Sequence, residues 1–432
     1  MSSGQKQGRP FWVFWGAVTA TNVGDGIRLV ALPLLATQVT ENPTLIALVT
    51  VFTYVPALLF GQVAGVFVDR VRKRRLIAFS QAGRAVVLAV VAVAIALEAL
   101  DIPMLCAAAF LYGVGEAVSD PASHAILPRL VAADNLGRAN SDLQSGQIVG
   151  EMFVGRALGG ILFAVAQPLP ILANVLVLAA AALALVSLGE VEGAPETAVP
   201  HRVLRQGRLR DFFEELAEGI RVVMHSRLLS VMSLLLAVWA GVSGAFWGVA
   251  AIYALRDLQS GEIGFGIMLA LAAVGSLAGS RIAIQVIRGL GAPGAAAISV
   301  FVSGVSIIAL TWTRDLWLAS VLLASNGAAV TVWNVMTITI RQATVEPHML
   351  GRVSSTYLVL ARIALPVGAG LAGLLATATD APTVFLVFGG VLLVVSAVLL
   401  PMLWKAFGES WPRGQVSAKK IEDYPSVFST QG

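Results

Sequence analysis

Ionisable side chains within long apolar runs are the residues of this sequence that could carry out chemistry. In the second half only Arg281 and Arg362 lie within apolar runs, and no carboxylate does. The first half holds the others, which are Asp25, Arg28, Arg84, Glu116, Asp120, Glu151 and Arg156. A charge inside a membrane-spanning run is expensive and marks a functional site by default. We therefore expect proton handling in the first half and an apolar binding surface in the second.

Asp25 is the strongest candidate for binding a proton. Asn22, Asp25 and Leu29 share one face at helical spacing, and Arg28 follows Asp25 by one turn. A membrane interior favours the neutral carboxyl group unless Arg28 or Arg84 holds it ionised. A purely structural ion pair of Asp25 with one of these two arginines is the alternative interpretation.

Tyr112, Glu116 and Asp120 recur every four residues and therefore line one face of a helix. Asp120 lies near the end of its run, which favours a contact with a gate or loop. Glu116 lies deeper, so it is a candidate either for proton coupling or for binding a cationic group.

Glu151 shares a helical stripe with Gln144 and Gln147. This pattern is compatible with protonation or binding, and equally with hydrogen bonds between helices. Arg156 follows in the same run and has two open roles. It either neutralises a carboxylate such as Glu116 or binds an anionic substrate.

Aromatic and amide side chains recur along two apolar runs of the second half. Few polar groups among aromatic ones are typical of cavities that bind varied small molecules, although ordinary helix packing explains each residue singly. The candidate contacts with a bound molecule are Asn22, Tyr112, Arg156, Trp239, Phe246, Trp247, Trp333, Asn334 and Arg362.

The sequence lacks the residues that several other kinds of chemistry require. The single cysteine, Cys106, and four histidines without ligand spacing predict no metal site. No GxxxxGK[ST] motif occurs, so ATP is not the expected energy source. The sequence also lacks the cluster of His, Cys or paired acidic residues that a membrane-embedded enzyme would need. The net charge is +4, but the basic residues lie between the apolar runs rather than on one soluble face, which argues against nucleic acid as a partner.

Composition places the ionisable residues in membrane-spanning helices. The 432-residue chain is 57% hydrophobic and 12% charged, a balance that no water-soluble fold of this size has. A helix needs about 20 apolar residues to cross the hydrocarbon layer. Runs of that length predict twelve spans, at 11–36, 43–68, 75–97, 103–124, 141–166, 169–188, 228–254, 263–287, 294–313, 316–340, 353–377 and 382–405.

Lys and Arg are distributed unevenly among the connections between these spans. One alternating set is rich in them, from Lys6 and Arg9 to Lys405, whereas the other holds only Arg256 and Arg314. Basic connections face the cytoplasm. We therefore expect a multi-pass protein of the cytoplasmic membrane, with both termini cytoplasmic.

The only long polar interruption divides the spans six and six. It predicts an N-terminal six-helix bundle over 1–188, a cytoplasmic central loop over 189–227, a C-terminal bundle over 228–405 and a cytoplasmic tail over 406–432. Within the loop, residues 208–224 have the pattern of an amphipathic helix lying on the membrane surface.

Short motifs repeat between the halves. Gly61-Gln-Val-Ala-Gly65 returns as Gly275-Ser-Leu-Ala-Gly279, and the tripeptide 136–138 (Leu-Gly-Arg) returns at 350–352, both at a separation of 214 residues. Parallel repeats predict an all-α membrane protein of two pseudo-symmetric six-helix bundles. Such halves are typical of transporters that rock about a central site.

The connection between spans two and three contains Gly65-Val-Phe-Val-Asp69-Arg70-Val-Arg72-Lys73-Arg74. This stretch resembles the signature G-x-x-x-D-R-x-G-R-R/K of the major facilitator superfamily, with Arg72 where the family has Gly. Asn22-Val-Gly-Asp25-Gly and Asp120-Pro121-Ala122 resemble the branch of macrolide, siderophore and multidrug exporters. The stretch from Gly155 to Gly160 resembles the antiporter signature GPxxGG, with Arg156 in place of Pro.

The resemblance implies a secondary active transporter that exports amphipathic small molecules, such as drugs, by proton antiport and alternating access. A dedicated siderophore or natural-product exporter is the alternative, and a non-transporting membrane sensor is a further one. The expected partners are an amphipathic substrate and the lipid bilayer. The expected form is a monomer, without a cofactor and driven by the proton gradient.

The resemblance also implies a gating role for the signature loop, as a clamp between spans two and eleven. Asp69 would accept hydrogen bonds at the N-terminus of span eleven, where the helix dipole is positive. Small residues would let span two pack closely, and the cations that follow Asp69 would pair with acids and also mark the cytoplasmic side. The candidate gating residues are Gly61, Gly65, Asp69, Arg70, Lys73, Arg74 and Asp120.

Overall fold

Helices make up the described part of the chain. The computed structural model describes residues 8–61, 72–187, 208–346 and 349–410, and no strand occurs within these ranges. The longer helices are α1 (Arg9–Val39), α2 (Pro43–Phe60), α3 (Lys73–Ala96), α4 (Ile102–Ala125), α5 (Leu136–Gln147), α6 (Arg156–Val165), α7 (Leu169–Ser187), α8 (Arg208–His225), α9 (Arg227–Ile252), α10 (Gly261–Ala309), α11 (Leu316–Thr344), α12 (Leu350–Ala378) and α13 (Ala381–Ser410). Between α4 and α5 lie a short helix, Leu127–Leu130, and a 3-10 turn, Ala133–Asn135. A π-helical segment, Ile148–Gly155, joins α5 to α6 without a break, and a second one, Tyr253–Asp257, extends α9.

Ten helical segments of the described ranges are long and apolar enough to cross a membrane. Gly291, at a φ of 70°, divides α10 into two helices, so this segment supplies two spans. The 31-residue α1 is a further helix of sufficient length, which the buried charges Asp25 and Arg28 make less apolar. Counted in this way, the structure confirms the all-α membrane fold with twelve spans.

The predicted bounds differ from the helices mainly where polar residues are helical. The fifth span begins at Leu136 rather than 141, because the polar stretch of α5 continues the helix. The second is described only as far as Phe60, since 62–71 lie outside the described residues. The bundle and loop bounds stay predictions, because 188–207 and 411–432 lie outside them too.

The helix ends that border the short connections lie at one end of the bundle, here called the opposite end. The described helix ends that border the Lys- and Arg-rich connections lie at the other, here called the basic end. At the opposite end the side chains of Asn42, Asp101, Asp315 and Asp380 each accept a hydrogen bond from a backbone N–H two or three residues further on. These contacts satisfy donors that the first turn of a helix leaves free. They explain how helices start immediately after such short connections.

The two halves contact each other at the opposite end, where α2 packs against α12 and α6 packs against α10. The hydroxyl oxygens of Thr44 and Thr377 lie 2.7 Å apart, and the Thr44 hydroxyl also donates to the carbonyl of Gly373 at 3.1 Å. Gly160 lies so close to the backbone of Gly266 that a Cβ atom would not fit. These two seams close the molecule at this end.

The repeated tripeptide opens equivalent helices in the two halves, because α5 begins at Leu136 and α12 at Leu350. The predicted amphipathic helix is present as α8, and it packs against the start of α12. Glu218 forms an ion pair of 2.5 Å with Arg352 there. The side chains of 208–216 lie outside the described ones, so the apolar face of α8 and its place on the membrane surface stay predictions.

Candidate functional site

Asp25 of α1 lies at the centre of a buried cluster. The guanidinium of Arg84, on α3, forms an ion pair with the Asp25 carboxylate. The hydroxyl of Tyr112, on α4, donates to the same carboxylate at 2.8 Å, and Arg84 also donates to Gln81 at 2.8 Å. Of the two arginines that the sequence offers as partners of Asp25, the structure selects Arg84.

Arg28 forms a second ion pair, with Glu116 of α4 at 2.9 Å. Its side chain therefore turns to the next helix rather than to Asp25, although the two residues are one turn apart. The ring of Tyr112 lies between both arginines, 4.4 Å from the Arg28 guanidinium carbon and 4.1 Å from that of Arg84. An aromatic face attracts a nearby cation, so one tyrosine connects the two ion pairs.

Close packing holds α1 in this position. The amide of Asn174, on α7, donates to the carbonyl of Gly24 at 2.7 Å and lies 3.4 Å from the Tyr112 hydroxyl. On its other side, Gly26 lies against the backbone of Glu151 and Gly155, which leaves no room for a Cβ atom. The π-helical segment thereby brings Glu151 beside the helix that carries the cluster.

A cavity of about 420 Å³, here called the polar chamber, adjoins the cluster and extends towards the basic end as far as His124. Glu116 is 33% exposed, whereas its partner Arg28 is 2% exposed, so the chamber reaches the acid of this pair. The charged residues in its wall are Arg28, Glu116, Asp120, Glu151, Arg156 and Arg362.

A second cavity of about 160 Å³, here called the aromatic chamber, lies mainly in the C-terminal half. Its wall includes Trp239, Phe246 and Trp247 of α9, together with Asn326 of α11. The Asn326 side chain accepts a hydrogen bond of 2.6 Å from Ser303. Aromatic surface with few polar groups thus occurs in the half where the sequence predicts it.

Arg156 lies in the wall of both chambers. Its guanidinium carbon is 4.8 Å from the centre of the Trp247 ring, and one of its nitrogens is 3.7 Å from a carboxylate oxygen of Glu151. The carboxylate that Arg156 neutralises is therefore Glu151, and the suggested pairing with Glu116 is wrong because Arg28 occupies that acid. The π-helical segment directly before Arg156 makes the helix irregular without the proline of the antiporter signature.

Two of the predicted gating residues, Gly61 and Asp120, lie in the wall of the polar chamber at its basic end. Arg362, on α12, lies beside Gly61 and reaches the same wall. The N-terminal and C-terminal halves are therefore close to each other at this point.

The remaining gating residues are only partly described. Lys73 begins α3, and Arg74 donates to the carbonyl of Val186 at 3.3 Å. The clamp between spans two and eleven stays a prediction, because three of its residues lie outside the described part of the chain, namely Gly65, Asp69 and Arg70.

Four predicted substrate contacts lie in neither chamber wall. Tyr112 belongs to the charge cluster, and Asn22 packs against Gly150. Trp333 is 1% exposed and packs on Trp239 with ring centres 5.4 Å apart, while Asn334 is exposed. Spacing places residues on a common helix face, but it does not determine whether that face meets the cavity or a neighbouring helix.

Sequence reasoning missed several uncharged polar residues of the site. Asn174 and Gln81 hold the cluster together, and Tyr54 contributes to the wall of the polar chamber. A polar side chain in the middle of so apolar a run as 169–187 is itself a signal.

The sequence and the fold have counterparts among known proteins. Residues 7–418 match the model of a family described as transmembrane secretion effector. The chain belongs to this family of the major facilitator superfamily. Transmembrane secretion effectors are multi-pass membrane proteins of the transporter fold, so the protein is a major-facilitator transporter.

Two relatives of this transmembrane secretion effector have named activities. This chain is 23% identical over 407 residues to macrolide efflux protein A of Streptococcus pyogenes, and the match covers 91% of this chain and 95% of the relative. It is 27% identical over 414 residues to the multidrug efflux pump Tap of Mycolicibacterium fortuitum, which covers 92% and 97%.

Solved structures share the fold of this transmembrane secretion effector. A bacterial homologue of the iron transporter ferroportin, in an inward-facing state, superposes with a TM-score of 0.71 at 15% identity, over 91% of this chain and 98% of that one. A bacterial homologue of the human lysosomal transporter Spinster, inward-facing and unoccupied, gives 0.71 at 15% identity, over 95% and 100%. At these identities the likeness establishes the fold alone.

Proposed function

We propose that this protein is a proton-driven exporter of amphipathic small molecules in the cytoplasmic membrane. The observation that carries the proposal is the buried Asp25–Arg84 pair, which Tyr112 connects to the Arg28–Glu116 pair at the wall of an open chamber. Buried acids of this kind are typical of proton relays in transporters. The macrolide and multidrug efflux relatives favour the same substrate class.

The orientation follows from the charges of the connections. With the basic end in the cytoplasm, both termini are cytoplasmic and the polar chamber opens inwards, while the two seams separate it from the outside. A substrate would enter this chamber from the cytoplasm or the inner leaflet and place its apolar part in the aromatic chamber. The exporter would act as a monomer in the lipid bilayer and would need no cofactor, since the proton gradient supplies the energy.

The charge cluster supplies the coupling step in this proposal. A proton from outside binds Asp25 when the halves have rocked to the other side, which removes the carboxylate charge that holds Arg84. Glu116 and Glu151 are the other candidate carriers, because both are acids of the chamber wall. The proton leaves when the chamber next opens to the cytoplasm, and net exchange of substrate for proton results.

Asp25→Asn tests this mechanism. We expect it to abolish pH-gradient-driven accumulation of ethidium and erythromycin in inverted vesicles, because an amide keeps the side chain's shape but cannot cycle between charged and neutral forms. The matched control is Glu98→Gln, which removes an exposed acid from the turn after α3. Unaltered coupling in Asp25→Asn would remove Asp25 from the mechanism.

The substrate class has a separate test. Export of macrolides, dyes and siderophores from a host without its own pumps would discriminate a broad exporter from a dedicated siderophore or natural-product exporter. Export of siderophores alone would favour the dedicated exporter. No export of any of the three would contradict the proposed function and favour a sensor.

A further inference from the structure

Arg156 is the one charged residue in the walls of both chambers. It approaches the ring of Trp247 from the other half of the molecule, 4.8 Å from the ring centre. On its other side it faces the carboxylate of Glu151 at 3.7 Å. Its guanidinium therefore occupies a space between a carboxylate and an aromatic face.

Arg156 is held loosely there. A strong charge-assisted hydrogen bond is about 2.7–2.9 Å long, and the Arg28–Glu116 pair meets that length at 2.9 Å, whereas the Arg156–Glu151 pair at 3.7 Å does not. A competing cation would therefore displace Arg156 more easily than Arg28.

A carboxylate and an indole face are the two groups that recognise a lipophilic cation, the first through charge and the second through its quadrupole. We infer that Glu151 and Trp247 form the binding site for the cationic group of an exported molecule, and that Arg156 fills this site in the empty protein as a resident cation. The inference rests on the proposed function and narrows its substrate class to amphipathic cations.

The surroundings fit both parts of such a molecule. The aromatic chamber beyond Trp247 offers apolar surface from Trp239 and Phe246. The polar chamber offers the displaced Arg156 another acid, Asp120. An arriving cation thus exchanges places with a charge of the protein, and neither charge is left alone in the membrane interior.

The test measures binding to the purified full-length protein in detergent by isothermal titration calorimetry. The probes are tetraphenylphosphonium and tetraphenylborate, which have the same shape and opposite charges. We expect Arg156→Gln to strengthen tetraphenylphosphonium binding about tenfold, because the resident competitor is gone, and not to strengthen tetraphenylborate binding. We expect Trp247→Leu, added to Arg156→Gln, to remove the gain.

Two further variants keep the result interpretable. Arg156→Lys retains a cation without the planar group and should give a smaller gain, and it serves where Arg156→Gln does not fold. Arg288→Gln removes an exposed arginine that lies in neither chamber wall and should leave tetraphenylphosphonium binding nearly unchanged.

Three results would overturn the inference. An equal gain in Arg288→Gln would mean that any lost positive charge acts in the same way. A loss of affinity in Arg156→Gln would mean that Arg156 itself binds the probe, and no binding of tetraphenylphosphonium to either protein would mean that the site does not accept cations. Proton-driven export is tested separately, by comparing the unaltered protein with Asp25→Asn in vesicles, and none of these binding results decides it. The proposed function and the proposed cation site can therefore fail independently.

Discussion

Tyr112 connects the two buried ion pairs at the scale of single residues. Its hydroxyl donates to Asp25 at 2.8 Å, and its ring lies between Arg28 and Arg84. The sequence indicated that these charges matter, but not their pairing. Arg28 follows Asp25 by one turn and nevertheless binds Glu116, because the choice depends on how α1, α3 and α4 pack together.

Two substitutions separate the hydroxyl of Tyr112 from its ring. Tyr112→Phe should lower the stability by about 2 kcal/mol, since a hydrogen bond to a charged group is lost. Tyr112→Leu should lower it by about a further 1 kcal/mol, because the ring between the two guanidinium groups is lost as well. The midpoint of thermal unfolding in detergent checks this order, and equal midpoints for the two variants would exclude a contribution from the ring.

Capping side chains stabilise the helix starts at the opposite end. Asp380 accepts a hydrogen bond of 2.7 Å from the backbone N–H of Thr383, and its hydrogen bonds with Thr383 hold the pKa of Asp380 below its usual range. Asp380→Ala should therefore lower the stability at pH 7 by about 1 kcal/mol, as expected for a lost N-cap.

This N-cap effect should depend on pH. A depressed folded-state pKa means that the ionised Asp380 stabilises the protein above the unfolded-state pKa and that the contribution disappears as the pH falls through the folded-state pKa. The difference in unfolding midpoint between the protein and Asp380→Ala should shrink in acid. Asp380→Asn keeps a hydrogen-bond acceptor that does not titrate. The difference in unfolding midpoint between Asp380→Asn and Asp380→Ala should therefore stay constant with pH.

Helix existence was more predictable than helix faces. Hydropathy located the spans because about 20 apolar residues are needed for each. The nearly uniform apolarity of α11 gives no amphipathic face, so nothing in the sequence distinguished Trp333, which packs on Trp239, from Asn326, which lines the aromatic chamber. The π-helical turn before Arg156 has no sequence marker, since the expected proline is absent.

The seam between α2 and α12 joins the two halves of the molecule. Replacing Cys106, the only cysteine, by serine gives a background for new thiols. Thr44→Cys combined with Thr377→Cys should form a disulfide across α2 and α12, where the two hydroxyl oxygens are 2.7 Å apart. We expect oxidation to stop transport and reduction to restore it, because the proposed alternating-access cycle requires the halves to part here.

Each single cysteine variant serves as the control and should transport under oxidising conditions. Full transport by the oxidised double variant, with the disulfide verified by mass spectrometry, would show that this seam stays closed throughout the cycle.

The separation of the two chambers has a consequence for how such a protein diversifies. In the part of the chain that the structure describes, Asp25 and the acids of the polar chamber wall lie between the start of α1 and the end of α6. The aromatic wall lies on α9 to α11, and the first half contributes Met152 and Arg156 to it. The proposed recognition of substrate can therefore change by substitution in the second half while the proposed coupling residues stay unaltered. A gene fusion that joins this first half to a second half from a relative would acquire a new repertoire of cargo in a single step.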